Sequence, residues 1–184
     1  MKYTFSYQQP HHHFITIDVE IDTSNKEEVL LQLPAWRPGR YELGNFAKNV
    51  RDFKAFSTAG VELECNKVTI DSWKVECEKE AVVKVQYLYY ASELNAGSTF
   101  LDDNQLYVNP VNCCIYDPSD LDSKRTIEIQ YPKEHQVATS LKNVGIDLYE
   151  AKDFHEFADS PFIVSDSLQH GEYEVEGIPF RIWF

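Results

Sequence analysis

The chain has 184 residues, enough for one large domain or two small ones and for a real hydrophobic core. Hydrophobic residues make up 43% and aromatics 14%, which argues against disorder, and no apolar run reaches the roughly 20 residues that a membrane-spanning helix needs. A formal charge of -13 with no offsetting cluster of Lys or Arg argues against nucleic acid and membrane partners, while it suits a cationic ligand such as a free peptide amine, or simply solubility.

The opening residues lack the apolar core of a secretory signal, which predicts a cytoplasmic protein. Period-two alternation begins at once, with Tyr3, Phe5 and Tyr7 on one face of a strand. His11-His12-His13 reads as the polar start of the next strand. There His11 and His13 would share a face and offer two imidazoles, the germ of a small metal-dependent enzyme, yet a metal site needs three or four ligands and no third can be named. Ile15, Ile17, Val19 and Ile21 then alternate with Thr16, Asp18 and Glu20, and Val29, Leu31 and Leu33 form a third strand.

Next comes the most distinctive stretch, Leu33-Pro34-Ala35-Trp36-Arg37-Pro38-Gly39-Arg40-Tyr41, followed by Phe46-Ala47-Lys48-Asn49. Pro38 presets φ for the second position of a tight turn and Gly39 tolerates the positive φ of the third. Trp36, Tyr41 and Phe46 either form an exposed platform or pin the loop to the sheet, and the pinning role is preferred. Arg37 and Arg40 are expected to pair with acidic neighbours. A helical turn is predicted over 45–50, capped by Asn45.

Further strands are predicted over 51–57, 68–77, 81–90, 106–108, 113–116, 126–131 and 173–184, with turns at Thr58-Ala59-Gly60 and Asp117-Pro118-Ser119 and a short helix over 151–158. Adjacent Asp102 and Asp103 would face opposite ways on a strand and make a poor acid–base pair, so they read as a solvated turn. Cys65, Cys77, Cys113 and Cys114 lack metal-type spacing and read as buried free thiols, with Cys113 and Cys114 on opposite strand faces. Many short strands and little helix predict an all-β fold: an antiparallel β-sandwich or a pair of saddle-like curved sheets, with one or two short helices.

The residues carry no self-sufficient catalytic set. His-Glu-x-x-His, which would bring two imidazoles to one zinc on a helix face, is absent; the nearest approach, His155-Glu156-Phe157-Ala158-Asp159, ends in aspartate. There is no Gly-x-Ser-x-Gly elbow and no Gly-rich phosphate loop.

Three stretches resemble one known family. The first, Leu33 to Tyr41 with its Phe-Ala-Lys-Asn sequel, is similar to the "Leu-Pro-x-Trp-x-Pro-Gly-x-Tyr" and "Phe-Ala-(Arg/Lys)-Asn" patterns in the N-terminal domain of the glycyl aminopeptidases, metallopeptidase family sixty-one. Phe100-Leu101-Asp102-Asp103-Asn104-Gln105-Leu106-Tyr107-Val108-Asn109-Pro110 and Asp153-Phe154-His155-Glu156-Phe157-Ala158-Asp159-Ser160-Pro161 follow in the family's order. The resemblance implies that residues 1–184 form a single N-terminal β domain without zinc of its own, with a thermolysin-like zinc domain downstream as its partner. It also implies a peptide substrate that loses N-terminal Gly or Ala. The chain's end on an alternating apolar run, Ile178, Phe180, Ile182 and Phe184, suggests a cut at a domain boundary and predicts an exposed apolar docking patch.

Within that reading the β domain contributes no catalytic residue. Asn109, followed by Pro110, is the candidate for accepting a hydrogen bond from the substrate ammonium, with Tyr107 beside it as a second substrate-binding residue. The competing reading is a free-standing β-sandwich module that holds a peptide or glycan with its aromatic turn.

Overall fold

The computed structural model describes residues 1–23, 26–40, 42–95 and 97–184. The first strands are β1 (Lys2–Ser6), β2 (Phe14–Asp22), β3 (Glu28–Gln32) and β4 (Val50–Phe56). After β5 (Glu62–Leu63) and β6 (Cys65–Lys67) come β7 (Ser72–Glu76) and the long β8 (Val82–Tyr90). The second half runs β9 (Phe100–Leu101), β10 (Gln105–Val108), helical turn α1 (Pro110–Cys113), β11 (Arg125–Ile129), β12 (Gln136–Thr139), β13 (Lys142–Gly145) and β14 (Leu148–Ala151). It ends with α2 (Phe154–Ala158), β15 (Phe162–Ser165), β16 (His170–Val175) and β17 (Ile178–Trp183).

These strands form an all-β sandwich. An eight-stranded sheet in the order β13-β14-β11-β1-β2-β8-β4-β5 is faced by a four-stranded sheet, β12-β15-β10-β9, and a three-stranded sheet, β3-β7-β6. The alternation that predicts β2 is the reason it sits centrally: Ile15, Ile17, Val19 and Ile21 are buried, and Val83, Val85, Tyr87 and Tyr89 of β8 join them from the antiparallel neighbour. Aromatic contacts mark both sheet-on-sheet junctions. Phe5 meets Phe162 edge-on at 5.1 Å, and Phe53 stacks on Trp73 at 4.5 Å.

The sheets have the expected antiparallel pairing, except that β1 pairs in parallel with β11. Several expectations about individual elements need correction. Tyr7 lies beyond β1 and is only partly buried. The histidine run does not start a strand: Pro10–His12 form a 3-10 turn, and His13, at φ 61°, turns its Nδ1 to the Leu101 carbonyl at 2.5 Å. Proline at the first position of the turn fixes a helical φ and removes a ladder donor, which outweighs alternation. Of the strand predicted over 68–77, residues 68–71 are instead the turn that joins β6 to β7 and only Ser72–Glu76 are strand, and 173–184 is broken into the β16–β17 hairpin through Gly177 at φ 80°.

The predicted strand over 113–116 is instead the exit from α1, since Pro110 at its first position starts a helical turn. Cys113 and Cys114 therefore do not face opposite ways; both are buried and their sulfurs lie 3.8 Å apart. Cys65 is a free thiol only partly buried. Strand β4 carries a bulge in which Asp52, at φ 52°, and Phe53 together oppose Tyr87, so Phe53 is carried onto the Tyr87 ring.

The β16–β17 hairpin forms a sheet by itself. Every residue of β17 is exposed, including Ile178, Phe180, Ile182 and Trp183, so the predicted apolar patch is present as a two-sided ribbon.

Candidate functional site

A cavity of about 660 Å³ opens where the two smaller sheets meet the helices. Pro34, Trp36, Arg37 and Pro38 line it from the loop after β3, Tyr107 and Asn109 from β10 and its exit, and His155, Ala158, Asp159 and Pro161 from α2 and the turn behind it. Thus all three motif stretches, separated by more than 40 residues from one to the next, converge on one wall. The volume lies within the range of pockets that hold small molecules or short peptides.

Each contributor is fixed by a local feature. The loop after β3 is tied at its root by a reciprocal pair of bonds, Gln32 N to Tyr116 O and Tyr116 N to Gln32 O, both 2.8 Å. Gly39 at φ 83° makes the expected tight turn, closed by Arg40 N to Arg37 O at 3.3 Å. On β10, Leu106 and Val108 point into the core, which leaves Tyr107 on the opposite face. The Tyr116 ring stacks on Phe154 at 4.5 Å, and burial, followed by the nearby Asp71 charge, pushes its phenol up. Helix α2 is held by Phe157, which is buried and 4.7 Å from the Tyr3 ring. It is capped by Asp153, whose Oδ1 accepts from Glu156 N at 2.7 Å.

Asn109 occupies the N-cap position of α1, yet its side chain makes no capping hydrogen bond. Its backbone does the anchoring, with its N–H donating to Thr99 Oγ1 at 3.1 Å and its carbonyl accepting from the same hydroxyl at 3.4 Å. The amide is therefore held at the cavity with its own hydrogen-bonding capacity unspent. The same holds around the wall: among the described residues, the polar tips of Trp36, Arg37, Tyr107, Tyr116, His155 and Asp159 have no side-chain hydrogen bond or ion pair. Elsewhere on this acidic surface lysines and arginines are commonly paired, as Lys2 is with Glu128 at 2.7 Å and Lys124 with Glu150 at 2.8 Å.

The structure brings Asn109 and Tyr107 into one cavity, adds Arg37 and Asp159, which sequence reasoning did not select as site residues, and adds Trp36, for which it preferred a pinning role over an exposed platform. Two expectations about the turn are corrected. Trp36 is 52% exposed rather than pinned, while Phe46 does pack against the core. Arg40 pairs with Glu42, but Arg37 pairs with no acid among the described residues. Tyr41 lies outside the described residues. Asn45 precedes the 3-10 turn Phe46–Asn49 in a left-handed conformation and does not cap it with its side chain. Asp102 does mark a turn, its carboxylate accepting from the N–H groups of Asn104 and Gln105 at 2.9 Å each.

The chain matches the peptidase M61 N-terminal domain family over residues 2–166. It belongs to that family. Among solved structures, the M61 N-terminal domain described here is similar to an aminopeptidase N family protein from Idiomarina loihiensis, with a TM-score of 0.90 and 25% identity. The similarity covers 99% of this chain and 32% of that one, so this chain spans about a third of the solved protein's length. A search of curated proteins returns no match.

A metallopeptidase family implies a metal. Among the described residues, no group of three or more His, Cys, Asp or Glu side chains could hold one, and His155 and Asp159 stand at the cavity without a third donor. These residues do not fit a zinc ion. Among the described residues, no helix is long and apolar enough to cross a membrane.

Proposed function

We propose that this domain is a non-catalytic wall of the substrate cleft in a zinc-dependent aminopeptidase that releases N-terminal Gly or Ala. The zinc, the base and the scissile bond belong to a catalytic domain in the rest of the protein. The convergence of three motif stretches on one cavity, with unpaired polar tips over an aromatic floor, carries this reading. In it, the Asn109 side-chain carbonyl accepts from the substrate ammonium, the Tyr107 hydroxyl supports the adjacent backbone, and Trp36, Tyr116 and Phe154 exclude water along the chain. Holding a substrate in a reactive pose supplies part of the barrier reduction without chemistry on this domain. The two-sided β16–β17 hairpin supports docking onto the partner domain. Unpaired Cys77, Cys113 and Cys114 support a reducing, cytoplasmic setting.

The test uses the full-length protein and the 184-residue chain side by side on Gly-linked peptides. Glycine release by the full-length protein that is lost on zinc chelation and restored by zinc, with no release by the chain alone, is expected. Release that survives chelation, or occurs with the chain alone, contradicts the reading. The exposure of Trp36 favours one second reading, a stand-alone peptide- or glycan-binding module, which predicts ligand binding without any hydrolysis by the full-length protein.

A further inference from the structure

The cavity holds an arginine whose position its proposed role as a cleft wall does not use. Arg37 is partly buried; its Nε is sealed from solvent without a hydrogen-bond partner, and no carboxylate among the described residues pairs with the guanidinium. This happens in a chain with 30 acidic residues against 17 basic ones, where an intramolecular partner would be easy to supply. Its neighbour Arg40 has one in Glu42. A buried donor left unmade costs more than an ordinary hydrogen bond returns, and the cost is larger when the group is charged.

The guanidinium is also seated. A Cβ built on Gly97 would stand 1.9 Å from Nη2 and 2.5 Å from Cζ, so the head group lies directly against that backbone. Gly97 is itself held from behind, since Asn112 Nδ2 donates to its carbonyl at 2.7 Å. Arg37 lines the cavity while its guanidinium is fixed against Gly97, and the planar fork of a guanidinium is the geometry that matches a carboxylate bidentately. The overall charge of -13 repels a simple anion, and the lining carries Asp159 as well as Arg37. The ligand that satisfies both is zwitterionic, with an ammonium for the acidic field and a carboxylate for the fork.

We infer that Arg37 is the carboxylate receptor of this cavity and that the preferred substrates are peptides bearing a carboxylate beyond the released residue. This deepens the aminopeptidase reading and rests on it. The carboxylate is either the C-terminus of a short peptide or an acidic side chain, and the two sources separate by choice of substrate.

The experiment measures kcat and KM of the full-length protein on triglycine against triglycine amide, and on Gly-Glu-Gly amide against Gly-Gln-Gly amide. One of the two acids is expected to be favoured in kcat/KM by about tenfold over its uncharged counterpart, through KM, as a uniform binding contact requires. The pair showing that preference identifies the source. Arg37→Ala should bring the acid-to-amide ratio to about one, and Arg37→Lys should retain a part of it, since it keeps charge but loses the fork. Gly97→Ala keeps the arginine and displaces its flexible tip, so it should lower the same ratio independently. An acid-to-amide ratio near one in the unaltered protein, or one that survives Arg37→Ala, overturns the inference while glycine release continues to support the cleft wall. Absence of turnover on all four peptides overturns both.

Discussion

Asn109 shows how a single side chain can look structural in sequence and be available in space. Asn before Pro is an ordinary turn former, and at an N-cap its oxygen would normally be consumed by the helix it starts. Here Thr99 satisfies the backbone, and the amide stays free. Arg125 is the opposite case. It is fully buried, with Nη1 donating to Ser123 O at 2.6 Å and to Asp120 Oδ2 at 3.3 Å. Arg125→Ala should destabilise the domain by about 3 kcal/mol, because it leaves a void and unsatisfied carbonyls. Chemical denaturation measures this, and a loss below about 1 kcal/mol would show that the site collapses around the change.

At the scale of elements, α2 couples stability to the cavity. Asp153→Ala removes the bond to Glu156 N, and with it about 1 kcal/mol, and should weaken peptide binding because His155 and Asp159 ride on that turn. A variant with unchanged melting temperature and unchanged KM would contradict this. The β16–β17 hairpin predicts a different observable. A two-stranded ribbon without a packed face is marginal in water. Amides of 170–183 in the isolated chain should therefore exchange faster than those of β2 and β8, and equal protection would mean that the ribbon is buried by contacts of its own.

Legibility in the sequence followed element length and alternation. β2, β3 and β8 announce themselves because each is half buried and paired over its full length. β9, β12, β13, β14 and β15 have between two and four residues each, too few for a period to register, and none of them is among the strands the sequence predicts. The turn at Pro38-Gly39 was readable because its backbone demands are local. The cavity was only half readable. Tyr107 and Asn109 came from the motif resemblance, whereas the freedom of Arg37 depends on which acids fold near it, and no local pattern records that.

For the molecule as a whole, acid should unfold the sandwich through its paired carboxylates. Burial alone would push the Asp120 carboxyl up, but hydrogen bonding from Ser123 and the Arg125 charge outweigh it and hold it below the usual range. Hydrogen bonds from Lys2 and Gln130 hold Glu128 down in the same way. A depressed carboxylate contributes stability above its unfolded pKa, about 4 for these groups, and that stability is lost as pH falls through the folded value. Melting temperature should hold near neutrality and drop below about pH 4, and Asp120→Asn should lower the plateau and flatten the drop. An identical acid limb in the variant would exclude Asp120 as a contributor.

The central claim is that this M61 N-terminal domain helps to hold the substrate although it performs no chemistry. The measurement that tests it most directly is kcat/KM for a Gly-linked peptide in the full-length protein carrying Asn109→Ala. A fall of about tenfold or more, with the fold and bound zinc retained, is the predicted result, while a value within about twofold of the unaltered protein would contradict it.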